Sequence, residues 1–83
     1  MLSPVTLDEF YEAVGSLSAS LSEADRWDDA EVLEDAVRGG STSGEILTNV
    51  GVVLDRLREQ VPNLTTEIEP MLAFINDALR PRW

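Results

Sequence analysis

Residues 39–45 read GGSTSGE, and the reading of this stretch decides the fold. Gly39 and Gly44 stand at the spacing of the two glycines in a phosphate-binding loop, G-x-x-x-x-G-K-[ST], which joins a strand to a helix. The other reading is a corner where two helix ends meet. Glu45 stands where the phosphate-binding lysine belongs, and Ile46 where the magnesium-holding Ser or Thr belongs. A carboxylate at that point repels phosphate. The residues before Gly39 repeat with helical period, so no strand leads into the loop. The corner accounts for the same residues. Gly39 or Gly40 is expected to take a positive φ and close one helix. Thr42 and Glu45 have the T-x-x-E spacing of a capping box that opens the next, and Glu45 suits its positive end. Ser41 and Ser43 are alternative caps. Such an end can also take an anion, for example a partner's carboxylate.

Outward from this corner, four helices are expected, over 7–21, 24–38, 43–61 and 69–80, with 81–83 as a tail. In the first, Thr6 and Glu9 form another capping box, and Leu7, Phe10, Val14, Leu17 and Leu21 follow at steps of three and four. Gly15 and the serines after it weaken this helix locally. Ser22 and Asp25 are the candidate caps of the second helix, whose buried stripe is Trp27, Ala30, Leu33 and Val37. Ile46, Val50, Val53, Leu54 and Leu57 form the core face of the third, with Val52 pointing away. Leu64, Ile68, Met71, Leu72, Ile75 and Leu79 keep helical spacing to the end of the chain, and Pro70 interrupts them. A turn over 64–68 followed by a helix from Pro70 is expected, with one kinked helix as the alternative. The connections are short, which makes neighbouring helices antiparallel. The fold class is therefore all-α, a compact bundle of about four short helices in one domain.

Composition bounds the function. The chain has 83 residues, 43% hydrophobic, with sixteen acids against six arginines and no lysine, for a formal charge of −10. Such a surface repels nucleic-acid phosphates and anionic lipid, so neither nucleic acid nor membrane is an expected partner. Histidine, cysteine and lysine are all missing, which removes the usual general base, thiolate and Schiff-base amine. No enzyme and no cofactor is expected. The acids lack the D-x-[DN]-x-[DN]-G pattern of a calcium loop, and no metal site is expected. The start, MLSPVTLDEF, has no basic or apolar leader pattern, no apolar run has the length of a membrane span, and a cysteine-free chain suits the cytoplasm.

The second helix is the unusual feature. Residues 23–35 hold seven acids, Glu23, Asp25, Asp28, Asp29, Glu31, Glu34 and Asp35, against one arginine, Arg26. Like charges three and four apart cost a few tenths of a kcal/mol per pair, roughly 0.2–0.5. Asp28, Glu31 and Asp35 project away from the buried stripe. A charged helix face is most often simply solvated; the functional reading is a docking surface for a basic protein. Its candidate residues are Asp25, Trp27, Asp28, Glu31, Glu34 and Asp35. Trp27 is core in the plain reading and a binding anchor if exposed. Val32 and Val52 add to an interface if they lie beside Trp27.

The stretch WDDAEVLEDA, followed by GGSTSGEIL, in a lysine-free acidic helical chain resembles small bacterial immunity or inhibitor proteins and uncharacterised bacterial small proteins. That resemblance implies a partner with a basic site: a toxin, nuclease or nucleic-acid-binding protein. The tyrosine-rich recognition motif of the colicin nuclease immunity proteins is absent, since Tyr11 is the only tyrosine, and no family residue carries over. Two other classes stay open. One is a homo-oligomeric scaffold or regulator, for which a homodimer suffices. The other is a phage-type acidic mimic of DNA.

Overall fold

Thr6 starts the first helix as its spacing predicts. Its backbone is extended, with φ −117° and ψ 163°, and its hydroxyl accepts from the Glu9 N–H at 3.2 Å. Glu9 Oε1 accepts in return from the N–H groups of Thr6 at 3.1 Å and Val5 at 3.0 Å. The Val5 bond and then the Thr6 bond favour the charged carboxylate and hold Glu9 below the usual carboxylate range. The computed structural model describes residues 4–80; the tail expected at 81–83 lies outside them. In chain order it has α1 (Leu7–Glu23), α2 (Trp27–Arg38), α3 (Ser43–Gln60), a 3-10 turn (Pro62–Leu64) and α4 (Thr65–Ala78). No strand occurs among the described residues, and the fold is an all-α bundle. Among the described residues no helix is long and apolar enough to cross a membrane.

The end of α1 departs from expectation. The helix runs unbroken through Gly15 and the serines to Glu23. It closes with the Arg26 N–H donating to the Leu21 carbonyl at 2.8 Å and the Asp25 N–H to the Ser22 carbonyl at 3.1 Å. These are the two bonds of a Schellman motif, and they place Asp25 in the left-handed region with φ 61°. Asp25 therefore terminates α1 and does not cap α2. Neither does Ser22, which lies within α1. The N-cap of α2 is Arg26, with no side-chain capping bond, so that helix starts at Trp27 and not at 24. Asp tolerates this backbone region better than most residues, but glycine adopts it freely. Asp25→Gly is expected to raise unfolding free energy by up to about 1 kcal/mol, and Asp25→Val to lower it by about 1–2 kcal/mol. Urea titration of both variants checks the order, and a Val variant at least as stable as the Gly variant contradicts it.

The corner at 39–45 joins two helices as expected, by different means. Thr42 caps α3, accepting from the Glu45 N–H at 3.2 Å. The Glu45 carboxylate reaches one residue further back than in a capping box, to the Ser41 N–H at 3.0 Å. No glycine takes a positive φ; Gly39 is right-handed at φ −78°. The requirement for glycine is steric instead. A Cβ on Gly40 would stand 2.6 Å from Ile46 Cγ1 and 2.8 Å from the Ile46 backbone N.

The last segment is also corrected. Residues 65–69 are already helical, and Pro70 sits inside α4. At the sixth position it forfeits one backbone bond, to Thr66. Ile68, Met71, Leu72 and Ile75 lie on both sides of it in one stripe, and all four are buried. Burying that stripe outweighs the lost bond. Leu79, expected in the stripe, follows the helix end and is 43% exposed.

Four seams close the bundle. The backbones of α1–α2, α2–α3, α3–α4 and α1–α4 lie side by side, and those of the diagonal pairs stand further apart across the shared core. Phe10 stacks on Phe74 with centroids 5.2 Å apart, and Ser20 Oγ donates to Glu67 Oε1 at 3.4 Å. The start of α1 thus meets the end of α4, so the two run antiparallel. Arg58 donates to Glu69 at 3.1 Å across α3 and α4. The core inside the ring is uneven. α1 contributes Phe10, Val14, Leu17 and Leu21, and α3 adds Leu47, Val50, Val53, Leu54 and Leu57, Leu47 being a core residue the stripe omitted. From α2 only Ala30 and Leu33 are buried, and Val37 is half-buried.

Candidate protein-binding surface

α2 is held to the bundle by a narrow apolar face, which leaves most of its circumference to solvent. Asp28, Glu31, Glu34 and Asp35 are exposed, as is Asp25 at the turn before it. Trp27 is the correction with the largest consequence. Placed in the buried stripe by spacing, it is 65% exposed. It sits roughly 80–90° around the helix from the centre of the buried face, at about 100° per residue. At that edge coverage depends on the neighbouring helix, and α1 presents Ser18 and Ser22 there. Serines are too small to roof an indole.

The arginines leave part of the acidic face uncompensated. Arg26 pairs with Asp29 at 2.6 Å, and Arg38 pairs with Asp35. Both are i,i+3 pairs, the first reaching from the N-cap into α2 and the second within it. Hydrogen bonding to Asp35 and the charge of that carboxylate hold Arg38 more firmly protonated than an ordinary arginine. Among the described residues Asp28, Glu31 and Glu34 carry no ion pair. The acids do not converge on a point: no three are grouped so as to hold a metal ion among the described residues.

Along the α1–α2 seam the surface is hollowed twice. One hollow, of ≈ 320 Å³, lies between Tyr11, Val14 and Gly15 of α1 and Val37 of α2. The other, of ≈ 510 Å³, lies between Ser18 and Ser22 of α1 and Trp27 and Glu31 of α2. Glu34 and Arg38 line both, so the hollows are two parts of one groove. Val32 and Val52 are exposed but line neither part. The α1 side of the groove was not among the candidate residues. Its signal was present in the row Tyr11, Gly15, Ser18, Ser22, which shares one side of a helix at steps of three and four. Gly15 and the serines read there as helix weakeners.

The chain matches no family model, no curated protein and no solved structure. The functional reading therefore rests on this surface and its chemistry.

Proposed function

We propose that this chain is a small acidic protein-binding module of the immunity or inhibitor type. Its α2 face, from Asp25 to Asp35, covers a basic surface on a partner such as a toxin, a nuclease or a nucleic-acid-binding protein. The observation that supports this is the exposed Trp27 beside Glu31 and Glu34. A large aromatic ringed by carboxylates suits an anchor that buries apolar area while the charges select a cationic neighbour. The mutual repulsion of Asp28, Glu31 and Asp35 is relieved when positive charge approaches. In this reading the chain catalyses nothing, needs no cofactor, does not touch nucleic acid and works in the cytoplasm of a bacterium.

The test is affinity capture on wild type and on the triple variant Asp28→Asn, Glu31→Gln, Asp35→Asn. The triple variant is expected to keep its helical circular dichroism, because exposed ion pairs contribute little, roughly 0–1 kcal/mol. A basic protein should be retained by wild type and lost from the variant. Its association rate should fall steeply with salt for wild type, since charges more than about 10 Å apart are screened at 0.1 M. The variant should show a slower on-rate and a flatter salt dependence. Equal retention with equal salt dependence removes the reading.

A further inference from the structure

We infer that the α1–α2 groove seats one basic amphipathic helix of the partner, its apolar stripe in the groove and its cationic flanks against the acids on either side. This rests on the proposed function and names the partner's chemistry. From Tyr11 to Ser22 the groove follows α1 for about 17 Å, or three turns, at 1.5 Å per residue. That length fits a helix laid into a groove, read through anchors at i, i+3, i+4 and i+7.

Three independent features converge on it. The first is Gly15. It lies exposed in the middle of α1 with no positive φ, and a Cβ built on it meets nothing within 4 Å. Nothing inside the chain requires glycine there, although glycine in a helix interior is less stable than alanine by roughly 0.5–1 kcal/mol. A side chain arriving from outside is what uses that space, because it can rest on bare backbone.

The second feature is the aromatic pair at the two ends. Tyr11 is half-buried at one, and Trp27 is exposed at the other. Both bring a rigid apolar surface with a polar tip, which suits a rim that is apolar when covered and wet when free. The third is charge on both banks. On α2 the outer bank carries Glu31, Asp28 and Asp35. On α1, at about 100° per residue, Asp8, Glu12 and Glu23 fall on the outer side of the Tyr11–Gly15–Ser22 row, and all are exposed. The one cation lining the groove, Arg38, is tied to Asp35. A helix with lysines or arginines flanking an apolar stripe satisfies both banks at once. A second copy of this chain brings a formal charge of −10 to the same place, and like charge opposes that occupant.

The probe is a synthetic helical peptide with leucines on one face and lysines and arginines flanking them. Its control has the same composition with the leucines dispersed. Binding to the 83-residue chain carrying Trp83→Phe is read by calorimetry and by Trp27 emission. The amphipathic peptide is expected to bind about tenfold or more tightly than the control, equivalent to about 1.4 kcal/mol, with a blue shift of Trp27. Gly15→Leu fills the groove at a solvent-facing helical position, so circular dichroism should stay unchanged while the preference between peptides disappears. If both peptides bind wild type equally with steep salt dependence, the groove inference fails and the acidic-face reading survives. If neither binds, both fail. A preference that persists in Gly15→Leu also overturns the groove. So does self-association in sedimentation that Gly15→Leu abolishes, which assigns the groove to a second copy.

Discussion

Leu33→Ala is expected to lower unfolding free energy by about 2–5 kcal/mol, and Leu57→Ala by a similar amount. Both side chains are sealed, at 0% and 1% exposure. Truncation removes the transfer energy of the buried methyl groups and leaves a cavity that the ring of helices can close only in part. For a chain of this size total stability is roughly 4–12 kcal/mol, so either substitution consumes a large share. The two should nevertheless differ in kind. Leu57 is one of five buried side chains on α3, whereas Leu33 and Ala30 are the two that α2 buries. Loss of Leu33 should release α2 ahead of the rest, and a populated intermediate of that sort lowers the apparent urea m-value. Leu57→Ala should shift the midpoint with m unchanged. Val52, 64% exposed, is the control, and Val52→Ala should stay within about 0.5 kcal/mol of wild type. Midpoints for Leu33→Ala and Leu57→Ala as close as that to wild type would show that these side chains are not core.

Gly40→Ala is expected to destabilise by about 1–3 kcal/mol, the range for forcing atoms into a filled site. Of the atoms its Cβ would strike, Ile46 Cγ1 at 2.6 Å belongs to a side chain and can rotate. The Ile46 N at 2.8 Å is backbone in the first turn of α3 and can yield only if the corner moves. Gly15→Ala supplies the contrast. With open space around that Cβ, it should stabilise by about 0.5–1 kcal/mol through helix propensity alone. The opposite signs of two Gly→Ala changes, read from thermal melts, test a steric against a conformational account. A Gly40→Ala variant that melts with wild type would mean that the corner relaxes freely.

Several features of the fold follow from the chain locally. T-x-x-E at Thr6 and at Thr42 starts a helix because the bonds involved span only three residues. Phe10, Val14, Leu17 and Leu21 read as one buried face because they share one side of any helix they form. Asp25 hid the end of α1. Its stop uses an aspartate in the left-handed region, where the visible signal, a glycine, is missing. At Gly39–Gly40 the glycines are visible but their use is not, because the neighbour that excludes a Cβ on Gly40 comes from the next helix. Pro70 reads as a break, but its cost is one local bond while the stripe around it is buried against α1 and α3.

The sequence by itself determined how many helices form, where the capped ones start and which side of each is apolar, because those preferences act within a few residues. It also determined that α2 carries acids on its outer side, with Asp28, Glu31 and Asp35 placed by helical period. Only the tertiary structure decided what covers each edge. Trp27 and Val37 both keep the spacing of the α2 stripe, Val37 near its centre and Trp27 roughly 90° to one side at about 100° per residue. Val37 is half-buried and Trp27 exposed, because burial at the edge, where Trp27 sits, depends on the volume of the facing residue. Opposite Trp27 that residue is a serine of α1, and the groove exists because two helices with small side chains along their seam cannot close it.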